Sequence, residues 1–135
     1  MIIETDIKLD FKDVLIRPKR TTLKSRSEVD LNRSYRFKHG GDYNWNGIPI
    51  MISNMDTTGT FEMVKEVSQY NVFTCIHKHY SMDDWRGFRD SLDDDKIYDF
   101  FSVSCGIRDE DILKLHEIII ELPKINFICL DVANG

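Results

Sequence analysis

A chain of 135 residues, 41% apolar and 30% charged, has the composition of one ordinary globular domain. Its formal net charge of -5 argues against a nucleic-acid surface, which needs a basic face. No apolar run is long enough to span a membrane, and the acidic opening Met1-Ile2-Ile3-Glu4-Thr5-Asp6 does not suit a signal peptide, so a cytoplasmic protein is expected.

The amino-terminal 46 residues are charged and irregular. Phe11, Val14 and Leu15 give one short helical or turn-like apolar face, which Arg17-Pro18-Lys19-Arg20 breaks. Val29, Leu31, Arg33, Tyr35 and Phe37 then alternate with polar neighbours, which predicts a strand with one buried face. His39-Gly40-Gly41-Asp42 is a turn signal. Residues 1–46 thus read as an extension containing a short β element, and residues 47–135 as a separate, regular region.

In that second region Ile48 to Ser53 is an apolar run without alternation, as in a strand covered on both faces. Thr60 can cap a helix in which Met63, Val67 and Tyr70 recur at helical spacing. Val72 to Ile76 is a second strand. Ser81 with Asp84 begins a helix by a capping box, and Met82, Trp85, Phe88 and Leu92 form its stripe. Phe100 to Ser104 is a third strand. Asp109, Glu110 and Asp111 suit a helix amino terminus, Ile112, Leu115, Ile119 and Leu122 follow as a stripe, and Pro123 ends it. Ile125 to Leu130 is a fourth strand.

Strands alternating with helices imply an α/β fold with a parallel sheet of about four strands. Polar residues follow each strand: Asn54-Met55-Asp56, His77-Lys78-His79, Cys105-Gly106 and Asp131 to Gly135. In parallel α/β folds that edge is where ligands bind. The pattern alone leaves a barrel and an open sheet equally possible. The cysteines Cys75, Cys105 and Cys129 are odd in number and lack metal spacing, so buried reduced thiols are expected and no metal site is assigned.

The post-strand blocks carry a resemblance. Asn54-Met55-Asp56-Thr57-Thr58-Gly59-Thr60-Phe61-Glu62-Met63, Ile76-His77-Lys78-His79-Tyr80-Ser81 and Ile128-Cys129-Leu130-Asp131-Val132-Ala133-Asn134-Gly135 resemble the GMP reductase family. So do Leu9 to Arg20 and Leu23 to Ser27. The related IMP dehydrogenases usually insert a regulatory module after the second barrel helix, where this chain has only Asp93-Asp94-Asp95-Lys96.

The resemblance implies a partial TIM (β/α)8 barrel and NADPH-dependent reductive deamination of GMP to IMP, in which a cysteine attacks the purine and the cofactor supplies a hydride. That cysteine, the potassium-binding loop and the GMP phosphate loops belong to later parts of the family's barrel, so these residues alone are expected to be inactive. A noncatalytic half-barrel that modulates assembly of the enzyme, or a piece of an IMP dehydrogenase, are the alternatives. A homo-oligomer, a tetramer by family, or a complementing carboxyl-terminal half is the implied partner.

The resemblance also places residues. Asp131, Val132 and Ala133 would contact NADPH, the carboxylate accepting from ribose hydroxyls; taken by itself Asp131 could equally be solvated or bond a loop amide. Lys78 would meet the cofactor's phosphates or nicotinamide as a point charge, or be an ordinary surface lysine. Ser25 and Arg26 resemble the segment that reaches an NADPH bound to a neighbouring subunit, the guanidinium suiting a 2′-phosphate. Asn54, Met55 and Asp56 would pack against the bound nucleotide, or brace their loop. His77 and His79, which flank Lys78 with opposite strand facing, are expected to anchor their loop. Cys105 follows too early a strand to be the family's nucleophile.

Overall fold

The computed structural model describes residues 5–132, and they divide into two compact units at Asp30/Leu31. The first unit holds two single 3-10 turns, Phe11–Asp13 and Arg26–Glu28. Asp10 closes the first through a capping box, its carboxylate accepting from the Phe11 amide at 2.7 Å while Asp13 accepts from the Asp10 amide at 3.0 Å. Ser25 caps the second by accepting from the Ser27 amide at 3.3 Å.

The second unit is a five-stranded sheet with helices between its parallel strands. In chain order it comprises β1 (Arg33–Arg36), β2 (Asn44–Ile52), α1 (Phe61–Ser68), β3 (Val72–Ile76), α2 (Met82–Asp90), β4 (Phe101–Cys105), α3 (Asp109–Glu121) and β5 (Ile128–Leu130). Spatial order equals chain order, β1-β2-β3-β4-β5. β1 and β2 form an antiparallel hairpin with Tyr35 opposite Trp45, and every later pair is parallel. Consecutive order with a helical crossover each time is the strand–helix rhythm read from the sequence.

The capping signals act as expected. Thr60 Oγ1 accepts from the Met63 amide at 3.2 Å, starting α1. Ser81 and Asp84 make the reciprocal box of α2, the Ser81 amide donating to Asp84 at 2.8 Å and Asp84 to Ser81 Oγ at 3.2 Å. α3 ends at Glu121, two residues before Pro123. A five-residue 3-10 segment, Asp95–Asp99, occupies the connection into β4 that sequence patterning leaves as a linker.

Side chains on the two faces of the sheet build two cores. On the helix-covered face Phe61, Val64, Ile76, Trp85, Phe88, Phe101, Val103, Leu115, Ile118 and Leu122 pack together. On the other face Trp45, Phe73, Cys75 and Phe100 form a second cluster, with Tyr43, Phe127 and Cys129 against it. The inner positions of β4 are Ser102 and Ser104, both buried. Their small size lets residues from strands on either side converge above them: Phe73 of β3 and Phe127, just before β5, have ring centroids 5.2 Å apart. Trp45 of β2 and Phe100, just before β4, stand at 6.2 Å. The hydroxyls of Ser102, Ser104 and, on the helix-covered face, Thr74 have no hydrogen-bond partner among the described residues.

Four sequence expectations are corrected. β1 covers only Arg33–Arg36 and every residue in it is exposed, so the alternation from Val29 to Phe37 does not bury a face in this unit. β2 is buried mainly at Trp45 and Gly47, whereas Ile50 and Met51 are exposed, so this strand is not covered on both faces. In α1 the buried residues are Phe61 and Val64, one position removed from the Met63–Val67–Tyr70 stripe, because Phe61 rather than Met63 turns toward the sheet. In α3 Ile118 is buried, while Ile119 only packs against that core in part.

Candidate functional site

All four loops that leave the parallel strands at their carboxyl ends lie along one edge, and backbone bonds tie the first to the second and the third to the fourth. After β2, the Gly59 amide donates to the Met55 carbonyl at 2.7 Å and Thr58 Oγ1 donates to the Ser53 carbonyl at 3.1 Å, which folds Asn54-Met55-Asp56 into a tight turn. Gly59 is required there. A Cβ at this buried position would collide with the Cys75 carbonyl and lie 2.9 Å from the Ser53 carbonyl. The Gly59 carbonyl in turn accepts from the His77 amide at 2.9 Å, linking the first loop to the second.

In the second loop, past the end of β3 at Ile76, the rings of His77 and His79 approach to 5.7 Å on either side of Lys78 in the chain. His77 is buried, and its Nδ1 accepts from the His79 amide at 3.2 Å. Burial first, and the neighbouring His79 second, hold its imidazole below the usual pKa, partly offset by Asp56 and Glu62. Lys78 stands exposed between them, and its carbonyl accepts from Lys114 Nζ of α3 at 2.9 Å.

The third and fourth loops meet at Cys105. The Asp131 amide donates to the Cys105 carbonyl at 2.9 Å, fixing the backbone where β5 ends, and Asp131 and Val132 are exposed. Ala133 lies outside the described residues. Gly106 sits directly against the Asp111 carboxylate, which a side chain at this position would have to push aside. Lys78, His79, Asp111 and Lys114 give the polar side of a cleft at this point, whose other side is apolar, with Trp85, Val103 and Leu115. Burial, then the Asp111 carboxylate, push the Cys105 thiol up, which suits a packed thiol rather than a nucleophile.

The structure therefore brings Asn54–Asp56, Lys78 and Asp131–Val132 to one edge, with Lys78 and Asp131 both bordering Cys105. Ser25 and Arg26 belong to the first unit, where Ser25 Oγ and Ser27 Oγ are hydrogen-bonded at 2.9 Å. Among the described residues no cluster of three or more histidine, cysteine or acidic side chains could hold a metal ion. The chemistry of the edge fits a phosphorylated nucleoside cofactor: the exposed Lys78 ammonium suits an anionic group, and the exposed Asp131 carboxylate is a hydrogen-bond acceptor for hydroxyls. Sequence reasoning missed Lys114 and Asp111. Their signal was the three-residue spacing that sets both on one face of α3.

A curled or open parallel α/β sheet whose polar loops gather at the carboxyl ends of its strands defines the class of protein. No family model matches the chain. It is 50% identical over all 135 residues to the GMP reductase of Citrobacter koseri and 52% identical over the same length to that of Shewanella pealeana, in each case covering 38% of the relative. With the GMP reductase of Caenorhabditis elegans it shares 51% over 133 residues, 37% of that protein. The chain's likeness is thus to the GMP reductases, and it spans under two-fifths of their length. No helix among the described residues is long and apolar enough to cross a membrane.

Proposed function

We propose that these residues form the cofactor-side part of a GMP reductase, with residues 1–46 as an extension and 47–135 as the first four strands of a TIM barrel. A barrel needs eight strand–helix units in which strand order follows chain order, whereas an open doubly wound sheet reverses order at a switch point. The sheet from β2 to β5 runs in chain order without reversal. The meeting of Phe73 with Phe127 across β4 also suits a surface that curls toward that face, as side chains from alternate strands share layers inside such barrels.

The reaction of the complete assembly is NADPH-dependent conversion of GMP to IMP, the cofactor supplying a hydride when bound. Within the present residues Lys78 meets the cofactor's anionic or nicotinamide end. Asp131, Val132 and Ala133 hold its ribose side, Asn54–Asp56 pack toward the purine nucleotide, and Ser25 and Arg26 reach the cofactor of a neighbouring subunit in a homo-oligomer. Potassium and the attacking cysteine belong to other parts of the family's barrel, so the 135 residues by themselves do not turn over GMP.

The observation that carries the reading is the gathering of Lys78 and Asp131 around Cys105 in a chain about half identical to GMP reductases along its whole length. Fluorescence titration of the purified chain with NADPH and with NADH tests it. Binding that favours NADPH supports the reading, and equal indifference to both overturns its cofactor half. NADPH consumption on addition of GMP to the chain alone would overturn the expectation of inactivity.

A further inference from the structure

We infer that His77 is a positioning residue: through its Nδ1 and its ring it fixes the backbone of residues 77–80 and thereby aims Lys78. The inference rests on the reading of Lys78 as a cofactor contact.

Lys78 stands on a loop with no regular secondary structure, and a long flexible ammonium gains little from a site unless its backbone is held. Beside the bond from Lys114 Nζ to the Lys78 carbonyl at 2.9 Å, three contacts through His77 hold it. The His77 amide donates to the Gly59 carbonyl at 2.9 Å, which locks the start of the loop to the loop after β2. The His77 Nδ1 accepts from the His79 amide at 3.2 Å, which closes a small ring around Lys78. The His77 imidazole also stacks on Tyr80, with centroids 4.1 Å apart and planes at 20°.

Tyr80 extends the anchor inward. It stacks on Phe61 at 3.8 Å, and Phe61 stacks on Phe88 at 4.3 Å, so four rings run from the ligand edge into the helix-side core. The Tyr80 hydroxyl accepts from the Phe61 amide at 3.3 Å, at the first turn of α1. A loop that carries a charged group is thus pinned to the helix-side core.

The bond to the His79 amide also fixes the chemistry of the ring. Nδ1 can accept only when it carries no proton, so the imidazole must be neutral with its hydrogen on Nε2. The charged and titratable groups around it are His79 and Tyr80 on its own loop, Asp56 from the loop after β2 and Glu62 from α1. A proton on Nδ1 would turn an acceptor into a donor facing an N–H, and the ring around Lys78 would open.

Two substitutions separate the parts. His77→Asn keeps an acceptor, Oδ1, at the place of Nδ1 and loses the stack; His77→Phe keeps the stack and loses the acceptor. In the full chain labelled with nitrogen-15, His77→Asn is expected to preserve hydrogen-exchange protection at the His79 amide and to keep more of the NADPH affinity than His77→Phe does. His77→Phe is expected to lose that protection and weaken NADPH binding about fivefold, the worth of one hydrogen bond. Protection at His79 that survives His77→Phe would overturn the inference.

The unsubstituted chain gives a second test that needs no variant to fold. Protection of the His79 amide should fall as acid protonates His77, below its ordinary value of 6.5, and an amide indifferent to that titration would equally overturn it. Lys78→Ala separates this inference from the cofactor reading. NADPH affinity unchanged by Lys78→Ala removes the reading of Lys78, while the His79 amide still decides the role of His77.

Discussion

Tyr43 donates its phenolic hydrogen to the Asp99 carboxylate over 2.6 Å, joining residues 56 positions apart. The same aspartate accepts from the Asn126 side-chain amide at 3.1 Å, and its carbonyl accepts from the Trp45 indole at 2.7 Å. Asp99 thus ties the start of β2 to the approaches of β4 and β5. Burial, then the bond to Asp99, push the Tyr43 hydroxyl well above its usual pKa, so it remains a donor at any ordinary pH. Tyr43→Phe should cost about 1 kcal/mol and Trp45→Ala about 3–5 kcal/mol in denaturant unfolding, the second losing both the ring and its bond.

Gly59→Ala should be among the most disruptive small substitutions. The added methyl would strike backbone rather than a movable side-chain end, so relief requires shifting the loop that carries Asn54–Asp56. A loss of about 3 kcal/mol is expected, at the upper end for forced overpacking. Thermal unfolding measures it.

Glu121 joins α3 to α2 by accepting from Arg86 Nε at 2.9 Å and Arg89 Nη1 at 2.5 Å. The hydrogen bond from Arg86 first, opposed next by burial and reinforced by the charges of both arginines, holds its carboxyl below the ordinary value of 4.5. A depressed folded value means the contribution is complete above the unfolded value and disappears as acid protonates the carboxylate through its folded one. Glu121→Gln should therefore flatten the fall in stability on the acid side of 4.5 and leave the slope near neutrality unchanged. Unfolding midpoints across an acid series check it.

Cys75 and Cys105 are buried, and burial raises both thiols. Native alkylation with iodoacetamide should label Cys129, which is only half-buried, ahead of both, with the other two reacting on unfolding. Mass spectrometry of a time course reads the order, and rapid native labelling of Cys105 would reopen its candidacy as a nucleophile.

Lys78→Ala should weaken NADPH binding about tenfold, the lower end for a hydrogen bond to a charged group, while Lys78→Arg keeps most of it. Unchanged unfolding of the alanine variant would assign the loss to the ligand, since this side chain is exposed.

The parallel part of the fold was legible because each crossover announces itself: Thr60, Ser81 with Asp84, and Pro123 act locally through caps and breaks. The hairpin was legible as a strand and a turn but not in its burial, since the alternation from Val29 to Phe37 describes a face that this unit leaves open. Patterning also missed the 3-10 segment Asp95–Asp99, because an aspartate run reads as a solvated linker until Asp94 is seen capping it at 2.9 Å. At the ligand edge the positions of Lys78 and Asp131 follow from where strands stop. The roles of Lys114 and Tyr80 do not, because they depend on which helix faces and rings arrive from elsewhere in the chain.

Trp85 lies in the core on the helix-covered face and Trp45 in the core on the other, and these are the only tryptophans in the chain. Each side of the sheet therefore carries its own fluorescent reporter. Replacing either indole leaves a single emitter, so the assembly of the two layers can be timed separately during folding. A lag between the two signals would reveal that one layer serves as the template on which the other settles.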